Sequence, residues 1–120
     1  GKAAAAERYI KKAIVLNPYH TFDYPWNLGL SYYTQGRYSE GVENLSNALE
    51  RNETALYPRL YLAACYVKLG RQDDAEWEIE HVNLQRPGTT ISHLALTLPY
   101  ENKSHLQAIL QDLQKAGLAK

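Results

Sequence analysis

The sequence predicts an all-α fold, an α-α superhelix of antiparallel helix pairs with about seven helices and an irregular C-terminal capping helix. The prediction depends on an internal repeat, on apolar residues at helical spacing within each repeat unit, and on a glycine between the two helices of each unit. A chain of 120 residues has room for one domain of this kind. We therefore expect residues 1–120 to form a single domain.

The repeat is visible when the sequence is aligned with itself so that Gly36 falls on Gly70. The same alignment superposes Leu28 on Leu62, Gly29 on Ala63, Tyr32 on Tyr66, Arg37 on Arg71, Gly41 on Ala75 and Leu45 on Ile79. Gly36 and Gly70 stand where a helix can end in the left-handed conformation that glycine adopts at little cost. Pro25 and Pro58 mark the opening turn of each first helix. Each unit is therefore predicted to be two helices around a tight turn.

These residues resemble the tetratricopeptide repeat family, whose pattern is Trp-x2-Leu-Gly-x2-Tyr, then Ala-x3-Phe, then Pro. The first copy reads Pro25-x2-Leu28-Gly29-x2-Tyr32, Gly41-x3-Leu45 and Ala48, and the second reads Arg59-x2-Leu62-Ala63-x2-Tyr66, Ala75-x3-Ile79, Val82 and Pro87. The opening tryptophan is missing from both copies, and Glu53 replaces the closing proline of the first. The resemblance implies a superhelix of stacked helix pairs that binds other proteins.

The repeat register divides the chain into four parts. Residues 2–17 match the second helix of a truncated repeat, 22–55 and 56–89 form full repeats, and 90–118 form a degenerate repeat with a capping helix. The capping helix has one apolar face, made by Leu106, Ile109, Leu110 and Leu113, and Gly117 follows as its stop. We expect this helix to cover the open apolar end of the stack.

The last residues carry a second resemblance. Leu98-Pro99-Tyr100 and the later Leu113-Gln114-Lys115-Ala116-Gly117-Leu118 are similar to the C-terminus of bacterial signalling proteins. In those proteins, tetratricopeptide repeats follow an adenylate/guanylate cyclase domain or a winged-helix regulator domain. The resemblance implies that this segment belongs to a signalling protein, but it brings no catalytic residue of a cyclase.

Composition excludes several classes of function. Thirteen basic residues balance thirteen acidic ones, so no basic field favours nucleic acid. A single cysteine, Cys65, favours a reducing compartment, and no apolar run reaches the length of a membrane span, so we predict a cytoplasmic location and no membrane partner. The four histidines lack metal-ligand spacing, and no catalytic motif occurs. We predict no metal, no cofactor and no enzymatic activity.

The resemblance implies a concave groove lined by the first helix of each repeat. The faces of these helices that point away from Leu28 and Tyr32 and their equivalents are aromatic and carry few charges, which suits protein recognition. The predicted groove residues are Trp26, Asn27, Leu30, Tyr33, Thr34, Tyr57, Tyr61, Ala64 and Lys68. A competing interpretation is that several of them pack against neighbouring helices.

Two functions follow from these observations. The first is a non-catalytic scaffold that binds a peptide or a helix of a protein partner in the concave groove. The alternative is a regulatory or oligomerisation segment of a larger bacterial signalling protein, a cyclase or a transcription regulator, which acts through self-association or through contact with an upstream domain.

Overall fold

The computed structural model describes residues 3–4, 7–8, 23–98 and 103–120, and for residues 23–28 it describes the backbone alone. The six helices within 23–120 are α1 (Asp23–Gln35), α2 (Tyr38–Arg51), α3 (Leu56–Lys68), α4 (Gln72–Gln85), α5 (Ile91–Thr97) and α6 (Lys103–Lys115). Residues 3–4 and 7–8 are also helical, and no strand occurs in the described part of the chain. The predicted all-α class is confirmed. The rest of the predicted helix over 2–17 lies outside the described residues.

The two helix-to-helix turns have the same geometry at equivalent positions of the repeat. Gly36 and Gly70 have φ angles of 79° and 75°. In the first turn the amide of Arg37 donates to the carbonyl oxygen of Tyr32 at 2.8 Å, and in the second the amide of Arg71 donates to that of Tyr66, also at 2.8 Å. These bonds satisfy carbonyl groups that the end of a helix leaves unpaired.

The arginine after each glycine also stabilises the turn. The guanidinium carbons of Arg37 and Arg71 lie 4.5 Å from the ring centroids of Tyr32 and Tyr66, respectively, each on the preceding helix. Arg37 pairs with Glu40, and Arg71 with Asp74, one helical turn further along. The repeated Gly-Arg of the sequence therefore supplies both the backbone reversal and a cation that joins the two helices.

Helices α1 and α2 approach closely because small residues lie at their crossing. A Cβ atom at Gly29 would lie 2.4 Å from Cγ of Leu45, a distance that real side chains do not reach. Leu45 itself is fully buried. Glycine at position 29 is therefore required for this packing distance.

Helix α3 is the centre of the molecule. It packs against α1, α2, α4 and α6, and its residues from Pro58 to Cys65 are all buried. A helix that is apolar on every face needs neighbours on every face. The order of packing along the chain, from α1 to α2 to α3 to α4, is that of a helical superhelix.

Helix α6 closes the C-terminal side of this core. Ile109 and Leu113 are fully buried, and Leu106 and Leu110 pack on the core more loosely. Gly117 follows with a φ of 109°, and the amide of Leu118 donates to the carbonyl of Leu113 at 3.0 Å. Helix α6 thus ends in the same kind of glycine turn as α1 and α3.

Candidate protein-binding groove

Helices α1 and α3, the first helices of their pairs, pack side by side, and α6 packs across α3. Helices α1 and α3 carry every residue that the sequence analysis assigned to a concave groove. We call the site made by Tyr33, Thr34, Tyr61, Ala64 and Lys68 the groove; of these residues, Thr34 and Lys68 are exposed and the others are buried.

The centre of the groove is a cluster of aromatic rings. The ring of Tyr33 lies edge-on to that of Tyr61, with centroids 5.4 Å apart, and edge-on to that of Tyr38, with centroids 5.8 Å apart. Tyr33 and Tyr61 are both buried, and Ala64 is fully buried beside them. Edge-to-face contacts of this kind stabilise aromatic clusters beyond the burial of their area.

A carboxylate of α6 is buried at this cluster. The side chain of Asp112 is 1% exposed. The hydroxyl of Tyr33 donates a hydrogen bond to its Oδ2 at 2.7 Å, and Nζ of Lys68 lies 3.3 Å from its Oδ1. Asp112 therefore joins α6 to α1 through Tyr33 and to α3 through Lys68, and both carboxylate oxygens have a donor.

The other predicted groove residues have varied environments. Leu30 is half-buried against the core, whereas Thr34 is exposed and donates its hydroxyl to the carbonyl oxygen of Leu30 at 2.9 Å. Tyr57 is 40% exposed at the start of α3. Trp26 and Asn27 lie on α1, and their side chains are outside the described part of the structure. The structure thus brings Tyr33 and Lys68 together at Asp112, and Tyr61 packs against Tyr33.

An open cleft remains beside α6. It has a volume of about 130 Å³ and is lined by Tyr33, Thr34, Tyr38, Lys68, His105 and Ala108. It lies where the ends of α1 and α3 meet the beginning of α6. This cleft is the part of the groove that α6 leaves accessible.

Sequence reasoning missed Asp112, because its place in the helix does not signal burial. Asp112 lies three residues after Ile109 and directly before Leu113, both of which were assigned to the apolar face of the last helix. A carboxylate next to such a face is more often solvated than buried. Only the position of Tyr33 and Lys68 opposite α6 explains why this one is buried.

Neither a metal-binding group nor a reactive thiol is found among the described residues. No group of His, Cys, Asp and Glu side chains in the described ranges could hold a metal ion. Cys65 is fully buried, and burial raises the pKa of its thiol to about 12. A thiol with so high a pKa stays protonated and is a poor nucleophile. None of the described helices is long and apolar enough to cross a bilayer.

The geometry of paired helices and repeated glycine turns agrees with comparisons to known proteins. A family profile described as "Tetratricopeptide repeat" matches residues 32–97, which is more than half of the chain. The chain belongs to the tetratricopeptide repeat family. The matched range contains both glycine turns and runs from the end of α1 to the end of α5.

A solved structure named MamA MSR-1 C2 has the same tetratricopeptide fold. The match has a TM-score of 0.67 at 24% sequence identity, and it covers 97% of this chain. The chain spans 66% of the length of that structure. At this identity the likeness shows the fold. No curated protein has a sequence that matches this one.

Proposed function

We propose that this chain is a non-catalytic scaffold that binds an amphipathic helix or an extended peptide of a protein partner in the groove. Stacked tetratricopeptide repeats offer an extended concave surface, and helix-in-groove binding uses anchors at helical spacing. The groove of this chain combines buried tyrosines, which give a large contact area, with one cation at its edge, Lys68. Tyrosine is one of the residues that dominate protein interfaces, and Lys68 adds a charge that favours an acidic partner.

The observation that carries the proposal is the packing of α6 against the groove. An amphipathic helix with an acidic residue beside its apolar face is held there by Tyr33 and Lys68. The groove therefore fits a helix of this chemistry. A partner helix would use the same contacts after displacing α6, or would enter through the cleft beside it.

The contacts of α6 also indicate which residues a partner helix needs. Ile109 and Leu113 are buried one turn apart, and Asp112 lies between them on the side that faces Tyr33 and Lys68. We therefore expect partners with an aliphatic residue, an acidic residue three positions later and an aliphatic residue directly after it. A basic residue in the acidic position would face Lys68 and reduce affinity.

The test uses the full chain and a fluorescein-labelled synthetic peptide of residues 103–118. Asp112→Lys places a second cation beside Lys68 and removes the acceptor of Tyr33, so α6 should leave the groove. Breaking a fully buried pair costs about 3–5 kcal/mol, and because Lys68 is partly exposed the loss here should be smaller than that. We expect the labelled peptide to bind the variant at least tenfold more tightly than it binds the unchanged chain, as measured by fluorescence anisotropy.

The matched control is Gln111→Lys, which adds the same charge at an exposed position of α6. It should leave peptide binding as it is in the unchanged chain. Asp112→Asn keeps the shape of the side chain and should give an intermediate affinity. Equal peptide binding by Asp112→Lys and Gln111→Lys, with the helicity of both retained in circular dichroism, would show that the groove is not a helix-binding site.

A second candidate function is a regulatory or self-associating segment of a larger signalling protein, of the cyclase or transcription-regulator type. The observation that favours it is the closure of the groove by a helix of the same chain, because such a contact can change when a neighbouring domain or a second copy binds. The strongly exposed Leu84 and Leu96, at 78% and 87%, add apolar surface for self-association. A concentration-dependent dimer in light scattering would favour this alternative over the scaffold.

A further inference from the structure

A second cleft lies between α2 and α4, the second helices of the two pairs, above α3. Its volume is about 400 Å³. It shares α3 with the groove, but none of the residues that line it belongs to the groove. We call it the α2–α4 cleft.

The floor of the α2–α4 cleft contains a buried ion pair. Nη1 of Arg59 lies 2.7 Å from Oε2 of Glu78, and the two side chains are 8% and 7% exposed. Nη2 of Arg59 donates to the carbonyl oxygen of Glu53 at 3.0 Å. The charges of Arg59 and Glu78 therefore cancel, and the floor adds no net charge to the cleft.

Aromatic side chains form two walls. Trp77 is 53% exposed, which is unusual for so large an apolar side chain. The centroid of its ring lies 3.9 Å from that of His81. Tyr66, from α3, is half-buried on another side of the cleft, and the guanidinium of Arg71 already lies over its ring. Trp77 is therefore the aromatic side chain that the cleft offers to a further cation. Exposed aromatic faces carry the negative potential that attracts cations.

The rim is acidic. Glu50 and Glu53 line the cleft and are exposed, and neither forms an ion pair in the described part of the chain. Because the floor is balanced, these two carboxylates give the cleft a net negative charge. The cleft thus combines the exposed ring of Trp77 with two carboxylates that form no ion pair with a described residue.

We propose that the α2–α4 cleft binds an arginine side chain of a partner protein. A guanidinium is flat, stacks on an aromatic face and donates two parallel hydrogen bonds to a carboxylate, and Trp77 and the rim glutamates offer these two kinds of contact within one cleft. A lysine ammonium carries the same charge but cannot stack or form the paired bonds. An arginine of a second copy of this chain is a further occupant that the test distinguishes.

The test follows the indole N–H signal of Trp77 in NMR spectra of the ¹⁵N-labelled chain, with the indole signal of Trp26 as an internal reference. The probe is the peptide acetyl-Gly-Arg-Gly-amide, compared with peptides that carry lysine or the neutral isostere citrulline. We expect the arginine peptide to shift the Trp77 signal in a saturable way. The lysine peptide should bind at least fivefold more weakly, and the citrulline peptide should give no saturable shift.

Two double variants assign the binding to the rim. Glu50→Gln with Glu53→Gln should weaken binding of the arginine peptide at least fivefold. The control, Glu43→Gln with Glu80→Gln, removes two exposed carboxylates of α2 and α4 that do not line the cleft and should leave binding unchanged.

Equal shifts by the arginine and citrulline peptides, or equal binding by the two double variants, would overturn the proposal. If the Trp77 signal shifts with protein concentration alone, and no further with the arginine peptide, the occupant of the cleft is an arginine of a second copy of this chain and not of a partner protein. Asp112 lies outside the α2–α4 cleft. A negative result with the arginine peptide therefore does not contradict the groove proposal, which the Asp112→Lys variant tests separately.

Discussion

At the scale of single residues, Asp112 shows how a polar group can be buried at a helix contact. Removing a carboxylate from water is costly unless hydrogen bonds and an opposite charge replace the lost hydration. The hydroxyl of Tyr33 and the ammonium of Lys68 supply both. The contact consequently favours one position of α6 on the groove, because any shift of the helix would leave the carboxylate without these donors.

Tyr33→Phe tests this contact without changing the ring packing. It removes the hydroxyl that donates to Asp112, and a hydrogen bond to a charged group contributes about 1.5–3 kcal/mol. We expect the free energy of unfolding to fall by that amount in urea denaturation. Tyr38→Phe is the control, since Tyr38 is half-buried in the same ring cluster and does not donate to Asp112; a loss as large in this variant would assign the effect to the rings.

The pair of Arg59 and Glu78 is the second buried charge contact. Arg59 stands where the tetratricopeptide pattern has its opening tryptophan, and its guanidinium reaches Glu78 on α4. Nε of Arg59 is buried and has no hydrogen-bond partner in the described part of the chain. Burial raises the pKa of Glu78, while Arg59 opposes this effect.

The raised pKa of Glu78 predicts how stability changes with pH. The native carboxyl group binds a proton more readily than the unfolded one, whose pKa is about 4.3, so its contribution to stability decreases as pH rises through the native pKa. Relative to Glu78→Gln, we expect the unchanged chain to gain stability as pH falls from 7 towards 4.5 in urea titrations. Glu80→Gln, an exposed change on the same helix, is the control. A constant difference between the unchanged chain and Glu78→Gln across this range would contradict the prediction.

At the scale of elements, the repeated glycine turns determine where each helix pair reverses. A residue with a Cβ at the φ of 75° found at Gly70 is strained, and no atom lies within 4 Å of a Cβ built there. The requirement for glycine at position 70 is therefore one of backbone conformation and not of space. At Gly29, by contrast, it is the space taken by Leu45 that excludes a larger residue.

Gly70→Ala separates these two reasons. The left-handed conformation costs about 1–2 kcal/mol for alanine, so we expect the free energy of unfolding to decrease by that amount. Gly70→Asn should lose less, because asparagine adopts this conformation more readily. Thermal or urea unfolding followed by circular dichroism measures both. Equal losses for alanine and asparagine would point to a steric cause that the structure does not contain.

At the scale of the whole molecule, α3 connects two surfaces of different chemistry. The groove of α1 and α3 holds the buried carboxylate of Asp112 on α6 next to Lys68, whereas the α2–α4 cleft has an acidic rim and the exposed ring of Trp77. In a superhelix each helix touches mainly its neighbours, so distant parts are usually independent. Here α6 contacts α3 and also reaches α1 through Asp112 and Tyr33, which ties the C-terminal helix to the first pair.

Much of the fold could be predicted from the sequence because it depends on local rules. Glycines at equivalent positions of the repeat, apolar residues four apart and prolines in opening turns each act over one or two turns of helix. The helices, their glycine turns and the apolar face of α6 follow from these signals, and the all-α class and the repeat family are confirmed. The extent of each repeat, the groove as a binding site and the parent signalling protein stay predictions.

The sequence by itself determined the helix pairs, their reversals and the aromatic character of the first helices. Only the tertiary structure decided that the rings of Tyr33 and Tyr61 pack together, that Asp112 is buried between Tyr33 and Lys68, and that Arg59 meets Glu78 beside an open cleft. The physical reason is distance along the chain. Tyr33 and Asp112 are separated by 79 residues, and a helix that follows no repeat pattern takes the position where its apolar face and its single buried charge are both satisfied, which no local rule specifies.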